Sequence, residues 1–146
     1  MKSLHEGLFN KGCRLIHVDQ HKDMRKPDDY TVDLDNLNDV FRYTNKVLNV
    51  GNFIQPALKK GVFCDVDIID SSYGFDLKPE GEYVLDIDLD IFSKDMDYIP
   101  YDFRVDKIKK LIEGAKVITI ASSPYFIEQD HAIKVLKELF NCDIIK

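Results

Sequence analysis

Two short acidic motifs carry most of the chemistry this chain could do: HVDQHKDM at residues 17 to 24 and LDIDLDIF at residues 85 to 92. Each closes an apolar, strand-like run. Two neighbouring strands would therefore bring Asp19, His21 and Asp23 together with Asp88 and Asp90. Side chains on one face of a strand recur every second residue, about 6.6 Å apart. Two metal ions sharing a carboxylate sit about 3.5 to 4 Å apart, with ligand bonds of about 2 Å. Asp19 and His21 can thus serve adjacent ions, Asp23 can fold back from the loop beyond the strand, and Asp88 with Asp90 can repeat the arrangement from the second strand. Four carboxylates within about 4 Å would repel by around 4 kcal/mol per ionised pair at an effective dielectric of about 20, a cost that protons or cations remove. Their four charges balance two divalent ions, and His21 adds a neutral nitrogen. An oxygen-rich shell with little histidine suits manganese or magnesium better than a thiolate-seeking metal, so a pair of Mn2+ ions is the expectation. A lone DxD is usually a solvated strand end, because Asp favours turns. The conjunction of DxHxD with DxDxD after two apolar runs is the rarer signal.

The elements that must position these residues alternate along the chain. The pattern predicts a short helix over 3–10, a strand over 13–19, and a helix over 36–49 with Asp35 as its N-cap. A second helix near 52–60, a strand over 62–69 and the motif strand over 82–90 follow, the last preceded by turn chemistry in KPEGE. Helix 102–113, strand 116–121 and helix 127–140 complete the order. VITIA and YVLDI are apolar on both faces, as strands of a helix-covered parallel sheet should be. The fold class predicted is α/β, three layers around a mainly parallel sheet, with ligands at the carboxyl ends of the strands. With no evident linker, repeat or low-complexity segment, residues 1–146 read as one domain.

These motifs resemble those of a known family. LIHVDQHKDM is similar to the strand and DxHxD motif of arginases, agmatinases and related ureohydrolases, and YVLDIDLDIFS resembles their later SxDxDxxD motif. VGNFIQPA at residues 50 to 57 is similar to the GNxHGxP loop of arginases, and VITIASSPYFIEQDHAIKVLKELF resembles the last strand, Pro turn and helix of that fold. The matches occur in order and cover most of the chain. Closer still is the small branch that pairs HxDxHxDM with LDIDLDIF and includes peptide arginases, which convert arginine to ornithine within a precursor peptide. The resemblance implies a reduced arginase-like fold in which Asp19 bridges two metals, Asp23 binds the first and His21 the second. It aligns Asp88 as the other bridge and Asp90 as a ligand of the second metal. Asp86 falls where arginases carry Ser, which makes it the weaker candidate. Arginases take a further His from upstream, and besides His17 the only upstream histidine is His5, in SLHEGLF, which fits that role.

The departures are equally informative. Where arginases place a proton-shuttling His in GNxHG, this chain has Phe53 or Ile54, so another acid must protonate the leaving group; Glu128 and His131, after the Ser122-Ser123-Pro124 turn, are the substitutes the sequence offers. The segment after DxHxD lacks the Asn and Ser pattern that holds a free amino acid's carboxylate and offers Arg25 and Lys26 instead. The short chain implies an open site. Together these favour hydrolysis of the guanidino group of an arginine within a peptide, giving ornithine and urea, with Glu128 or Asp86 as orienting acids and Tyr73, Tyr101 and Tyr125 as candidates for the peptide path. Two other classes stay open. A metal-dependent phosphoesterase could use the same carboxylates with Lys22 and Arg25 aimed at phosphate. A non-catalytic module could recognise a basic peptide, which the missing shuttle histidine favours.

Composition bounds the remainder. The 146 residues suffice for one core, and the net charge of −6 argues against general nucleic-acid binding. Four metal-neutralised acids would bring the loaded protein near −2. KIKK at residues 107 to 110 reads as the solvated face of an amphipathic helix. No apolar run approaches the roughly 20 residues needed to cross a bilayer, and the N-terminus has no signal-peptide core. Cysteines 13, 64 and 142 form no CxxC pair, so neither a disulfide framework nor a zinc ribbon is indicated. A reducing cytoplasm is the simplest setting.

Overall fold

Four runs rich in Val, Ile and Leu form the sheet, and the computed structural model describes residues 2–141. The strands are β1 (Cys13–Val18), β2 (Phe63–Ile69), β3 (Tyr83–Asp88) and β4 (Val117–Ala121). They lie in the order β2-β1-β3-β4, and every pairing is parallel. Helices α1 (Lys2–His5), α2 (Leu37–Lys46), α3 (Ile54–Lys59), α4 (Tyr101–Gly114) and α5 (Gln129–Phe140) surround it. The expected α/β fold with a parallel sheet between helical layers is what forms.

Side-chain alternation divides the core in two. Ile16, Val18, Leu85 and Ile87 pack with Val105, Ile108 and Leu111 of α4 and Ala132, Val135 and Leu139 of α5. On the opposite face Cys13, Leu15 and Val84 pack with Phe9, Ile54 and Val62, adjoining Ala57 and Leu58 of α3. A smaller cluster of Val32, Val40 and Tyr43 anchors α2, and the Tyr43 hydroxyl donates to the carbonyl of Asp29 at 2.6 Å.

Element boundaries depart from the sequence reading in instructive places. The N-cap of α2 is Asn36, not Asp35: its side chain accepts from the backbone N–H groups of Asn38 and Asp39, while the N–H of Asp35 is drawn to the Asp33 side chain. The motif strand stops at Asp88, two residues early, because residues Leu89–Phe92 wind into a 3-10 turn. Arg104 of α4 secures that turn. Its guanidinium, 1 % exposed, donates to the carbonyl of Ile91 at 2.8 Å and to Asp97 at 3.1 Å. Gly74, after β2, allows another close approach: a Cβ there would meet the Cα of Ile69 at 2.8 Å.

The order of connections places the functional end. The chain runs from β1 outward to β2, then returns past β1 to β3 and continues outward to β4. The direction of winding reverses between β1 and β3, the position where open parallel sheets leave a crevice at the carboxyl ends of their strands. Both acidic motifs end there.

Candidate metal centre

The two motifs use the same local device. β1 ends at Val18, so Asp19 and His21 lie beyond the strand, and the Asp19 side chain accepts from the backbone N–H of His21 at 2.7 Å. Asp88 closes β3 and accepts from the N–H of Asp90 at 3.2 Å. In each motif an Asp side chain turns the backbone so that the residue two positions on bends back toward it, as Asx turns do. The i, i+2 spacing therefore converges through a turn, not through strand alternation. The loops are also tied to each other: the N–H of Gln20 donates to Asp90 at 3.0 Å, and the Ser93 hydroxyl donates to the Gln20 side chain at 2.7 Å.

Two ligand-like sets result, sharing Asp19. His17, Asp19 and Asp23 form one and Asp19, His21 and Asp90 the other, the potential donor atoms of each set lying within 4.8 Å of one another. His21 Nδ1 is 2.9 Å from Asp90 Oδ2 and 3.5 Å from Asp19 Oδ1. Asp23 reaches its set from a backbone with φ of +48°, a left-handed conformation that Asp tolerates better than most residues. Asp88 belongs to neither set: its other oxygen accepts from the Ser123 hydroxyl at 2.6 Å.

The residue that sequence reasoning overlooked is His17. It is buried in β1 at 1 % exposure, with Nδ1 2.8 Å from Asp86 Oδ2. Its Nε2 lies 3.0 Å from Asp19 Oδ2, yet without hydrogen-bond geometry, so it is a buried nitrogen lacking a partner. A donating Nδ1–H leaves Nε2 with a lone pair aimed at carboxylate oxygen. Such an arrangement calls for a cation between them, a proton or a metal, and this orphaned atom together with the carboxylate donors fits a divalent ion. The sequence signal was available: a histidine inside an otherwise apolar strand must find a polar partner.

Charge crowding sets the protonation pattern of the metal-free site. Burial alone would lower the His17 pKa, but its contacts with Asp19 and Asp86 override this and raise it to about 9. Burial tends to raise Asp19, yet the contacts from His17 and the His21 N–H outweigh it and hold its pKa below the ordinary value. Burial and then Asp19 push Asp23 up to about 6. Asp90 rises to about 7, chiefly through burial, with Asp19 and Asp88 adding to it, and burial raises Asp88 as well. Asp23 and Asp90 thus keep their protons closer to neutrality than ordinary carboxyl groups, as crowded, buried acids do.

His5, Glu128 and His131 are not members of either set. His5 is exposed and bonded through Nε2 to the carbonyl of Leu34 at 2.8 Å, which ties it to the loop before α2. Glu128 is exposed just ahead of α5 and makes no capping bond. The His131 ring packs on Tyr101, 6.1 Å between centroids, within the α4 and α5 layer. Tyr101 is held there too, its hydroxyl donating to Glu138 at 2.8 Å. The 122–128 turn instead sends Phe126 to the centre, its ring 4.8 Å from that of His21. Phe53, standing where the shuttle histidine was sought, meets His17 edge-on at 5.9 Å. Lys22 lies 3.7 Å from Asp70, and Arg25 packs its guanidinium on Gly51. No helix among the described residues is long and apolar enough to cross a membrane. No protein-family model and no curated protein matches the chain.

Proposed function

We propose that this chain is a binuclear metal-dependent hydrolase of the ureohydrolase type that converts the arginine of a peptide to ornithine with release of urea. The observation that carries the reading is the meeting of two ligand-like sets on one shared carboxylate, Asp19, at the reversal point of a parallel sheet. Manganese is the expected cation, held by Asp19, His21, Asp23 and Asp90, with Asp88 as the remaining carboxylate. When bound, such a pair supplies a water that is nucleophilic at neutral pH.

The chain's own residues supply the rest. Water oxygen joins the guanidino carbon, the bond from that carbon to Nε breaks, and the departing nitrogen becomes an ammonium. Guanidinium plus water equals ammonium plus urea, with no proton gained or lost overall. Excess carboxylate charge favours a cationic substrate at the mouth of the site. The exposed face of Phe126 beside His21 offers a guanidinium a surface on which to stack. Tyr73 and Tyr125, 86 % and 95 % exposed, stand on the turns after β2 and β4, where an open rim can take the neighbouring residues of a peptide. Lys22 and Arg25, engaged with Asp70 and Gly51, give phosphoesterase chemistry little to work with.

A second reading rests on one specific observation: Phe53, at the place of the arginase shuttle histidine, meets His17 with a ring that carries no proton to donate. It makes the protein a metal-loaded module that binds basic peptides without turnover. Urea production from arginine-containing peptides by the manganese-loaded protein decides between them. Urea release supports the hydrolase, whereas peptide binding with no urea supports the module.

A further inference from the structure

We infer that His17, and not His5, is the imidazole ligand of the first cation, and that Asp86 and Thr119 are positioning residues that hold it for that task. The inference rests on the two-cation reading of the site but not on the reaction assigned to it. Register carries the argument. His17 of β1 pairs with Asp86 of β3, and Asp86 pairs with Thr119 of β4, so the three form a row across adjacent parallel strands on one face of the sheet. The Thr119 hydroxyl donates to Asp86 Oδ1, and Asp86 Oδ2 holds His17 Nδ1. With both carboxylate oxygens of Asp86 engaged, the ring plane of His17 is fixed and Nδ1 is committed as the donor. Nε2 is then the nitrogen left facing Asp19, buried and without a hydrogen-bond partner.

A carboxylate that fixes the tautomer and orientation of a ligating imidazole is a recurrent second-layer device at metal sites, and its loss typically weakens metal affinity 10- to 100-fold. Here the device is built from strand register. It also explains Asp86, the acid that sequence comparison left marginal: its contact is with the ligand. One strand and its following loop thus supply His17, Asp19 and Asp23 together, which removes any need for a histidine from the N-terminal segment, whose His5 is tied to Leu34.

The test uses the full chain and Mn2+ alone. Bound metal is counted after desalting, affinity is measured by calorimetry, and nitrogen couplings are read from pulsed electron paramagnetic resonance of the bound Mn2+. His17→Ala should lose one of two equivalents and the nitrogen coupling assigned to that site, while His5→Ala should keep both. Thr119→Val and Asp86→Asn should weaken one of the two equivalents about 10- to 100-fold, and Thr119→Ser, which retains the hydroxyl, should restore it. The Thr119 pair decides the matter even if His17→Ala fails to fold, because residue 119 is exposed on an edge strand. Two equivalents retained by His17→Ala, one lost by His5→Ala, or equal affinity in Thr119→Val and wild type would each overturn the inference. Wild type holding two Mn2+ yet releasing no urea would defeat the proposed reaction and leave this ligand assignment standing.

Discussion

Replacing Asp90 with Asn should make the metal-free protein more stable at pH 8 while weakening its response to manganese. Asp90 is 1 % exposed and its pKa lies near 7 against an ordinary 3.8. The sign follows from proton counts. Between pH 4 and 7 the folded chain keeps a proton that the unfolded chain has shed, so stability falls as pH rises through that window. Each pKa unit is worth about 1.4 kcal/mol, which puts an upper bound of about 4 kcal/mol on the cost of the ionised form. Asn can still accept from the Gln20 N–H, as Asp90 does at 3.0 Å, and its amide can donate toward Asp19. Loss of the carboxylate contact to His21 offsets part of the gain, leaving about 1 to 2 kcal/mol. A chain of 146 residues unfolds with an entropy of about 0.3 kcal/mol/K, so the melting temperature should rise by about 3 to 6 °C at pH 8, and the gain should shrink steadily as pH falls toward 4. Calorimetric melting in EDTA, with and without replacement by excess Mn2+, reads both effects. A lower melting temperature for the variant at pH 8 would refute the view that Asp90 is held against its own charge to receive a cation.

The remaining predictions concern the same centre and its supports. Asp19→Ala should abolish tight binding of the metal pair and Asp88→Ala, which lies outside both sets, should weaken it; elemental analysis finding two tightly held equivalents in Asp19→Ala would remove that residue from the ligand set. Mn2+ binding should release protons, because Asp23, Asp90 and His17 hold them in the metal-free chain up to about pH 6, 7 and 9. Apparent affinity should therefore rise from pH 5.5 to 8; calorimetry in buffers of differing ionisation heat would show no buffer dependence if those protons were absent. Arg104→Leu should cost about 2 kcal/mol through loss of charge-assisted hydrogen bonds and loosen the turn that carries Asp90. Urea denaturation measures the first effect and Mn2+ affinity the second, and an unchanged midpoint would show that the buried guanidinium contributes nothing to that turn.

Strands were the most legible part of the fold, because β1 and β3 are apolar runs of the kind a helix-covered parallel sheet requires, and β4 carries the same pattern although this edge strand is largely exposed. Their ends were less so. Asp19 and Asp90 read as the last residues of their strands, but the side chains of Asp19 and Asp88 each capture a backbone N–H two positions on and end the extended run. The same competition moved the cap of α2 from Asp35 to Asn36. The acids of the two sets were visible because their spacing is local. His17 was hidden because its partners, Asp86 and Thr119, are distant in sequence and adjacent only through register. Arg104 was hidden for a related reason: a charged residue on a helix reads as solvated, and only packing of α4 over Phe92 and the Ile91 carbonyl buries it. The turn after β4 hides which of its side chains turns inward: the helix that begins at Gln129 sends His131 to Tyr101, and it is Phe126 that reaches His21.

The central claim is that the site spends its two cations on a guanidinium carbon. Measuring urea released per chain from arginine-containing peptides, on protein whose manganese content is determined in the same sample, tests it most directly. The account predicts about two Mn2+ per chain and urea in step with ornithine formed in the peptide. Protein that carries two Mn2+ and leaves every such peptide unaltered would contradict it.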